Sequence, residues 1–284
     1  MSRIVVITGC SAGLGIAIAV QAARGGNTVY ATMRDPGKAD ALQQAAAAAQ
    51  VSLHILPMDV ADTASVNACV DEILVREGRI DVLINNAGSG FVRSTEQASE
   101  EDIAWIMNVN FMGVVRTTKA VIASMRRARA GHIINITSVG GLVGQPFNEV
   151  YCASKFAVEG YTESLAAYVQ PSFGIRFTAV EPGGIRSEFA NAALAHVAAT
   201  GGMLEDEYLP IIQKYLGGAR ARGDTAYQTC DQVAEVVIRC MESDNPPVRT
   251  RTSDWAEDFC RLKTDADPDG LKLQKQVVEM FLGG

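Results

Sequence analysis

Tyr151 and Lys155 are the residues of this 284-residue chain whose types and spacing point most directly to chemistry. Residues four apart lie on one face of an α-helix, so the lysine ammonium can approach the tyrosine phenol and favour its phenolate form. A free tyrosine titrates at about 10, whereas acid–base catalysis works best nearer the operating pH. The pair therefore predicts a proton-transferring tyrosine whose pKa the lysine lowers. Because ordinary surface helices also show this spacing, the other motifs must support the prediction.

A glycine-rich turn is the second chemical signal, and it joins the first predicted strand, Ile4–Ile7, to a helix predicted over residues 14–24. Its sequence is Thr8-Gly9-Cys10-Ser11-Ala12-Gly13-Leu14-Gly15. Glycines at such a turn let the backbone approach a pyrophosphate, whose charge meets the free amides and positive dipole end of the helix. The strand before the turn and the helix after it distinguish a dinucleotide site from an ordinary turn.

The elements that must position these residues alternate along the chain. Further short apolar strands are predicted at residues 28–32, 51–56, 80–84, 132–136 and 176–180, with helices between them that include 38–50 and 65–77. This alternation is typical of βαβ units, and it predicts an α/β fold with a Rossmann-type doubly wound parallel sheet in one domain, residues 1–284. Residues 186–224 are glycine-containing and irregular in periodicity, and we expect them to form a mobile helical lid over the substrate.

Composition argues against several classes of partner. The formal net charge of -7 and the pI near 5.1 disfavour binding to nucleic acid or anionic lipid. The one basic run, residues 125–129, is expected to be a solvated helix end. Six scattered cysteines, the lack of a signal peptide and the lack of an apolar run near about 20 residues predict a reduced, cytoplasmic protein without a metal site or transmembrane segment.

Four motifs together resemble the short-chain dehydrogenase/reductase family, and the resemblance covers nearly the whole chain. They are the glycine turn, with three residues between its first two glycines, then Asn85-Asn86-Ala87-Gly88, Ser138, and Tyr151-Cys152-Ala153-Ser154-Lys155, in the family's order. The resemblance implies an NAD(P)-dependent enzyme that interconverts a secondary alcohol and a ketone. It also implies a homodimer or homotetramer built largely on the helices that contain Asn110 and Tyr151.

The resemblance also assigns catalytic roles. Tyr151 is implied to donate or accept the proton, Lys155 to bind the nicotinamide ribose, and Ser138 to donate a hydrogen bond to the substrate oxygen. Ser138 follows a predicted strand, which places it at the carboxyl end of the sheet where ligands bind. Asn110 matches a fourth catalytic position that holds a proton-relaying water, and Gly113, three residues later, favours it over Asn108.

Further residues are implied to bind the cofactor. Asp59 matches the position that meets the adenine amino group, whereas its neighbour Asp62 is expected to be a helix N-cap. Asn86 and Gly88 belong to a turn that supports the sheet and packs near the cofactor, and Ser187 matches a position that bonds the nicotinamide carboxamide. The complete set is Gly9, Ser11, Gly13, Leu14, Gly15, Arg34, Asp59, Asn86, Gly88, Tyr151, Lys155, Pro182, Gly183 and Ser187.

The end of the second predicted strand favours NADP(H) over NAD(H). Enzymes that prefer NAD usually have an acidic residue there, but this chain has Met33, followed by Arg34, whose guanidinium suits a 2′-phosphate. Asp35 follows immediately, and it can instead pair with Arg34 or turn toward the ribose. Both alternatives stay open from the sequence.

Residues 137–157 and Tyr30-Ala31-Thr32-Met33-Arg34-Asp35 resemble the family branch of 17β-hydroxysteroid dehydrogenase type 1 and the photoreceptor retinol dehydrogenase. This branch resemblance implies a bulky, largely hydrophobic alcohol or ketone. None of the three histidines, His54, His132 and His196, stands where that branch has its steroid-recognition histidine. Candidate residues for the wall of the substrate channel are Phe147, Phe189, Met203, Trp255 and Phe259.

Two other functions remain as alternatives. A reductase of acyl-carrier-protein-bound ketones needs a basic rim for its acidic partner, which Arg126, Arg127 and Arg129 can supply. A non-catalytic dinucleotide-binding regulator needs only the glycine turn and Asp59, so it leaves the polar set around Tyr151 without a use.

Overall fold

Seven parallel strands form the central sheet of the computed structural model, which describes residues 2–223 and 226–282. The strands of the structure are β1 (Ile4–Ile7), β2 (Thr28–Met33), β3 (His54–Pro57), β4 (Val82–Asn85), β5 (Gly131–Ile136), β6 (Ile175–Glu181), β7 (Ile185–Arg186), β8 (Gln228–Thr229) and β9 (Arg249–Arg251). Of these, β7 and β8 form a small two-stranded pair beside the central sheet. Their order in the sheet is β3-β2-β1-β4-β5-β6-β9. The order reverses between β1 and β4, which places the ligand crevice at the carboxyl ends of those strands.

Helices cover both faces of the sheet, as its sequence requires. Strands β1, β4 and β5 are buried at every position, the pattern of a parallel sheet packed on both sides. The helices are α1 (Gly13–Arg24), α2 (Asp40–Ala48), α3 (Thr63–Glu77), α4 (Glu100–Met107), α5 (Gly113–Ala128), α6 (Glu149–Phe173), α7 (Phe189–Ala199), α8 (Leu209–Gly223), α9 (Cys230–Glu242), α10 (Asp254–Thr264) and α11 (Leu271–Leu282). One hydrophobic core lies under α1, α2 and α9, and a second lies under α3, α5 and α6. The predicted fold class is confirmed.

The structure has the helix cap predicted at Asp62, but several helix and strand boundaries differ from the predicted ones. Asp62 is the N-cap of α3, since its carboxylate accepts the amide protons of Ala64 and Ser65, as predicted. The boundaries of α2, β3 and β4 differ from the predicted ones by two or three residues, because apolar residues continue into the adjoining turns. The segment predicted to form a helical lid, residues 186–224, contains the two helices α7 and α8; residue 224 lies outside the described residues.

A buried polar network fastens the helices of the site to the middle of the sheet. Asn85 at the end of β4 donates to Asn135 in β5 at 2.9 Å and accepts from Thr117 of α5 at 2.6 Å. Asn135 in turn donates to Thr162 of α6 at 2.9 Å. Since buried polar groups are costly unless they are paired, this network favours one arrangement of α5 and α6 on the sheet. Among the described residues, no helix combines the length and apolar character needed to cross a bilayer.

Candidate active site

The glycine turn between β1 and α1 has the geometry of a cradle for phosphate. Gly9 and Gly13 have φ angles of 73° and 56°, a region that favours glycine. A Cβ at Gly15 would lie 2.2 Å from the Gly9 carbonyl oxygen, so only glycine fits there. Helix α1 has neither a capping side chain nor an acidic residue in its first turn, which leaves its first amides available to an anion. The turn therefore fits a dinucleotide pyrophosphate.

The turn after β4 holds the glycine turn in place. Asn86 donates through Nδ2 to the carbonyl oxygens of Thr8 and Gly9 at 2.9 and 3.0 Å. The Thr8 hydroxyl accepts the amide protons of Asn86 and Ala87. A Cβ at Gly9 would lie 2.8 Å from Ala87 Cα, so the two turns are in close contact. Asn86 thus has the supporting place that the sequence predicted for it.

Tyr151 and Lys155 lie on one face of α6, as their spacing predicted. Lys155 Nζ is 5.8 Å from the centroid of the Tyr151 ring and donates a hydrogen bond to the Ile136 carbonyl oxygen at 2.9 Å. The Ser138 hydroxyl interacts with the Tyr151 phenol, and it also accepts the Gly140 amide proton at 3.0 Å. Ser138 begins the turn that follows β5, at the carboxyl edge of the sheet. The structure therefore brings the three predicted catalytic side chains together.

Burial dominates the protonation of this group. It raises the pKa of Tyr151 to about 12, against which the hydrogen bond from Ser138 acts. Burial also lowers the pKa of Lys155 to about 8, although the carboxyl of Glu159 opposes this shift. The expectation of a lowered tyrosine pKa is thus not met by the protein groups alone. The reason is that desolvation is the largest influence on the Tyr151 phenol, while the Lys155 ammonium is hydrogen-bonded to the Ile136 carbonyl and not to the phenol.

Asn110 lies in a π-helical segment, Asn108–Met112, that joins α4 to α5. Its Oδ1 accepts the Ser89 amide proton at 2.8 Å, and its Nδ2 donates to the Ser89 carbonyl and to Ser154 Oγ. A Cβ at Gly88 would lie 3.3 Å from Asn110 Oδ1 and 3.6 Å from Lys155 Nζ. Gly88 therefore lies between the asparagine and the lysine. The side chain of Asn110 fixes the loop after β4, and it makes no direct bond to Lys155.

The loop after β6 closes over the glycine turn. The Pro182 carbonyl accepts the Val139 amide proton at 2.9 Å, which ties this loop to the turn that carries Ser138. A Cβ at Gly13 would lie 3.5 Å from Ser187 Cβ, so Ser187 faces the phosphate cradle. A Cβ at Gly183 would lie 3.0 Å from the Trp255 ring, which packs against the same loop. The loop that holds Pro182, Gly183 and Ser187 thus contacts both the glycine turn and the turn that carries Ser138.

Two exposed cations follow strand β2, where the sequence predicts the adenosine part of the cofactor to bind. Arg34 follows β2 with an exposed side chain, and Asp35 uses its carboxylate to accept the Gly37 amide proton at 2.9 Å. Within the described ranges, Asp35 and Arg34 form no ion pair, which removes one of the two alternatives. Lys38 lies in the same turn and was missed in the sequence, where Arg34 alone was considered. Asp59 follows β3, and its carboxylate accepts the Ala61 amide proton at 2.9 Å.

One aromatic residue of the predicted lid lies beside Tyr151. The ring of Phe189, at the start of α7, lies 6.0 Å from the ring of Tyr151. Phe147 is buried against Tyr208 and Tyr215, and Phe259 stacks on Trp255 at 5.0 Å. Of the candidate wall residues, the structure thus places Phe189 beside Tyr151 and Trp255 at the Gly183 loop.

The end of α7, in the predicted lid, is fixed by side-chain contacts that the sequence analysis did not predict. Arg93 is buried, and its guanidinium donates to the carbonyl oxygens of Val197 and Thr200 at 3.3 and 2.9 Å. His196 pairs with Asp102 at 3.0 Å and stacks on Trp105. These contacts join the end of α7 to α4 and to the loop before it. Nothing in the spacing of these residues signals that they meet.

The basic run lies away from this site. Arg126 and Arg127 are in the last turn of α5, immediately before the amino end of β5, whereas the site lies at the carboxyl ends of the strands. The prediction of an exposed helix end is confirmed. A basic rim for an acidic carrier protein is therefore not supplied at the site by these arginines.

Known proteins resemble this chain in both sequence and structure. A family model described as short chain dehydrogenase matches residues 3–197. Retinol dehydrogenase 8 of Bos taurus is 40% identical over 94% of this chain and 86% of its own length. The 17-beta-hydroxysteroid dehydrogenase type 1 of Homo sapiens is 36% identical over 94% of this chain and 82% of its own length.

Solved structures of similar fold include complexes with both nicotinamide cofactors. A short chain dehydrogenase/reductase from Burkholderia phymatum in complex with NAD has a TM-score of 0.80 and 25% identity, with 96% of this chain and 95% of that one covered. An actinorhodin polyketide ketoreductase with NADPH has a TM-score of 0.72 and 27% identity, with 84% and 89% covered. The likeness therefore does not by itself choose between the two cofactors.

Proposed function

The chain belongs to the short-chain dehydrogenase family, and we propose that it uses NADP(H) as its cofactor. It is an NAD(P)-dependent alcohol dehydrogenase or ketone reductase. Its proposed reaction interconverts a secondary alcohol and a ketone on a bulky hydrophobic substrate. This proposal rests on one observation: the side chains of Ser138, Tyr151 and Lys155 lie close together, with the ring of Phe189 beside that of Tyr151. A regulator that only binds a dinucleotide would not need this group, since the glycine turn is complete without it.

The proposed mechanism assigns one proton transfer to the protein. Tyr151 gives its phenolic proton to the substrate oxygen in reduction and takes it back in oxidation, while Ser138 donates a hydrogen bond to the same oxygen. Lys155, held by the Ile136 carbonyl, favours the phenolate by its charge. The bound cofactor supplies or accepts the hydride. The cradle of Gly9, Gly13 and Gly15, the loop 182–187, Lys155 and Asp59 are the residues proposed to hold it.

The preference for NADP(H) is proposed from charge at the end of β2. Arg34 is exposed and its neighbour Asp35 is engaged with Gly37, so the guanidinium is available to a 2′-phosphate. Lys38, in the same turn, adds a second positive charge. An acid, which would bond the ribose hydroxyls of NAD, is replaced by the buried Met33.

The substrate class is proposed from the apolar surroundings of Tyr151. Phe189 borders the phenol, and Trp255 lines the loop that carries Gly183. The two relatives are named for retinol and for a 17-beta-hydroxysteroid, both large apolar alcohols, and their similarity extends through the lid. We expect a ketone or alcohol of comparable size and polarity.

A homodimer or homotetramer is also proposed, built on the helices that contain Asn110 and Tyr151. Met112, Phe156 and Tyr168 lie on this part of the chain with large exposed fractions, 40%, 43% and 49%. Exposed apolar side chains along two adjacent helices are expected at an interface between subunits. Sedimentation should show a dimer or tetramer at micromolar concentration, and a monomer would contradict this part of the proposal.

A panel of ketones and alcohols, monitored by NADPH absorbance, tests the proposed function. We expect kcat/KM for retinoid-sized and steroid-sized ketones to exceed that for short polar ketones by at least about tenfold, because each buried CH2 group contributes about 0.8 kcal/mol. Heat-denatured protein is the blank. Selective turnover of short polar ketones would contradict the substrate class, and absence of turnover with every member of the panel would contradict the activity.

A further inference from the structure

Arg116 of α5 makes four hydrogen bonds to neutral acceptors beside the segment that carries Asn110. Its Nη1 donates to the Asn108 carbonyl oxygen at 3.3 Å, and its Nη2 donates to Asn108 Oδ1 at 2.6 Å. Nη1 also donates to the Val60 carbonyl oxygen at 3.1 Å, and Nε donates to Thr63 Oγ1 at 3.2 Å. Because a guanidinium has five N–H donors in a rigid plane, these bonds hold the side chain in one orientation.

Two of the four bonds reach an irregular point of the helix. The segment Asn108–Met112 is π-helical, and the Gly113 amide donates to the Asn108 carbonyl oxygen, five residues earlier. A π-helical turn is rare, and it occurs frequently at functional sites. Arg116 donates to the same carbonyl oxygen and to the side chain of the same asparagine, so it stabilises this turn from outside the helix backbone.

The π-helical register determines where the side chain of Asn110 lies. Asn110 is 1% exposed; its Oδ1 accepts the Ser89 amide proton at 2.8 Å, and its Nδ2 donates to Ser154 Oγ at 3.1 Å. Ser154 directly precedes Lys155 on α6. An α-helix has 3.6 residues per turn, so a change of register by one residue would rotate Asn110 by about 100° and break these bonds.

The same guanidinium joins the π-helical segment to the loop after β3. A Cβ at Gly113 would lie 3.0 Å from Val60 Cγ2, so the start of α5 packs closely on this loop. The loop also has a bond of its own, because the Asp59 carboxylate accepts the Ala61 amide proton at 2.9 Å. Removal of the guanidinium should therefore disturb the π-helical segment more than the loop that carries Asp59.

We propose that Arg116 is a positioning residue for Asn110, because through Asn108 it maintains the π-helical register. That register places the amide of Asn110 against Ser89 and Ser154. The inference rests on the proposed function, in which Asn110 belongs to the catalytic set. Arg116 acts on the reaction through this segment, so its removal should lower kcat and leave cofactor affinity nearly unchanged.

Kinetics of Arg116→Met test the proposal, since methionine keeps an extended apolar side chain and removes all four hydrogen bonds. We expect kcat to fall about 10- to 100-fold, as for a small displacement of an active-site group, and the NADPH dissociation constant to stay within about threefold. Thr63→Val is the matched control, because it removes only the Nε bond at an exposed position. Its kcat should stay within about twofold of wild type.

A double-mutant cycle distinguishes this role from a general contribution to stability. If Arg116 acts through Asn110, Arg116→Met should change kcat by no more than about twofold when Asn110→Ala is already present. Independent losses would multiply instead.

Asn108 supplies a second pair of variants, because aspartate keeps an oxygen acceptor for Arg116 and leucine does not. We expect kcat of Asn108→Asp to exceed that of Asn108→Leu by at least about threefold. These two variants test the proposal by the same measurements if Arg116→Met does not fold.

Amide hydrogen exchange tests the geometry without turnover. The Ser89 amide is bonded to Asn110 Oδ1, so it should exchange at least about tenfold faster in Arg116→Met than in wild type. The Thr8 amide donates to the Ile84 carbonyl oxygen at 3.0 Å, in the middle of the sheet, and it serves as the internal reference. Its exchange should be the same in both proteins.

Three results would overturn the proposal. They are a kcat of Arg116→Met within about twofold of wild type, losses that multiply in the double variant, and equal changes of exchange at Ser89 and Thr8. Because exchange is measured without substrate, faster exchange at Ser89 alone in a protein that reduces no ketone would support the Arg116 inference while contradicting the proposed function.

Discussion

Replacement of Arg34 by alanine isolates the contribution of one guanidinium to cofactor choice. The side chain is exposed, and it forms no ion pair within the described ranges, so its removal leaves no buried group unpaired. We therefore expect the free energy of unfolding to change by less than about 0.5 kcal/mol, as for other exposed sites. Any larger effect on binding then reports the contact with the cofactor and not damage to the fold.

The expected loss of binding follows from the number and kind of bonds. Hydrogen bonds to charged groups contribute about 1.5–3 kcal/mol, and about 1.4 kcal/mol corresponds to a tenfold change in affinity. Arg34→Ala should thus weaken NADPH binding about 10- to 100-fold while it leaves NADH binding within about twofold. Lys38→Ala is the matched control in the same turn, and we expect a smaller loss for NADPH, because an ammonium cannot bond a phosphate in bidentate fashion.

Dissociation constants for NADPH and NADH, measured on wild type and on both variants, test this prediction. A wild-type preference for NADH, or equal losses for NADPH and NADH in Arg34→Ala, would refute the reasoning. Either result would leave the roles of Tyr151 and Lys155 unaffected, since these residues lie at the other end of the cofactor site.

Three further predictions concern the catalytic helix, the phosphate cradle and the lid. Lys155→Met should lose turnover and also weaken cofactor binding, and unchanged binding by titration would remove the ribose role. Gly9→Ala should abolish dinucleotide binding in fluorescence titrations, because its Cβ would lie 2.8 Å from Ala87 Cα at a positive φ, and tight binding would contradict the cradle. Arg93→Ala should raise KM for the substrate and leave the cofactor dissociation constant unchanged, since it removes the bonds that hold the end of α7. Steady-state kinetics showing an unaltered KM would contradict the role of the lid.

Much of the frame of the site follows from local sequence patterns. The β1 strand and the glycine turn are recognisable because a short β-branched run, a sharp turn and a helix follow one another within a few residues. The cap at Asp62 is similarly local. The face shared by Tyr151 and Lys155 follows from helical spacing alone. These features need no knowledge of distant parts of the chain.

Other features depend on tertiary packing and leave no local signal. The π-helical segment that holds Asn110 is defined by its neighbours Ser89 and Ser154, which are far away in sequence. Helix α7 buries only Ala193 and Val197, so its apolar periodicity is too weak to predict where a helix begins and ends within the predicted lid. Glu159 has the sequence appearance of a solvated residue on an amphipathic helix, yet it is buried against Gly141 and Glu181.

The pKa of Tyr151 shows the same limit. Helical spacing predicts a lysine nearby and therefore a lowered value, but it does not predict how far both groups are removed from water. Burial raises the tyrosine pKa to about 12 and lowers that of Lys155 to about 8. The balance between charge and desolvation can be evaluated only when the packing around both groups is known.

Single-turnover reduction of a ketone by Tyr151→Phe tests the central claim most directly. The substitution removes the hydroxyl and leaves the ring beside Phe189, so NADPH affinity should stay within a few-fold of wild type. If the phenol is the proton donor, the rate of NADPH oxidation should fall by at least about 100-fold, the lower end of what general acid–base catalysis contributes. A phenylalanine variant that binds NADPH normally and reduces the ketone at near the wild-type rate would contradict the assignment.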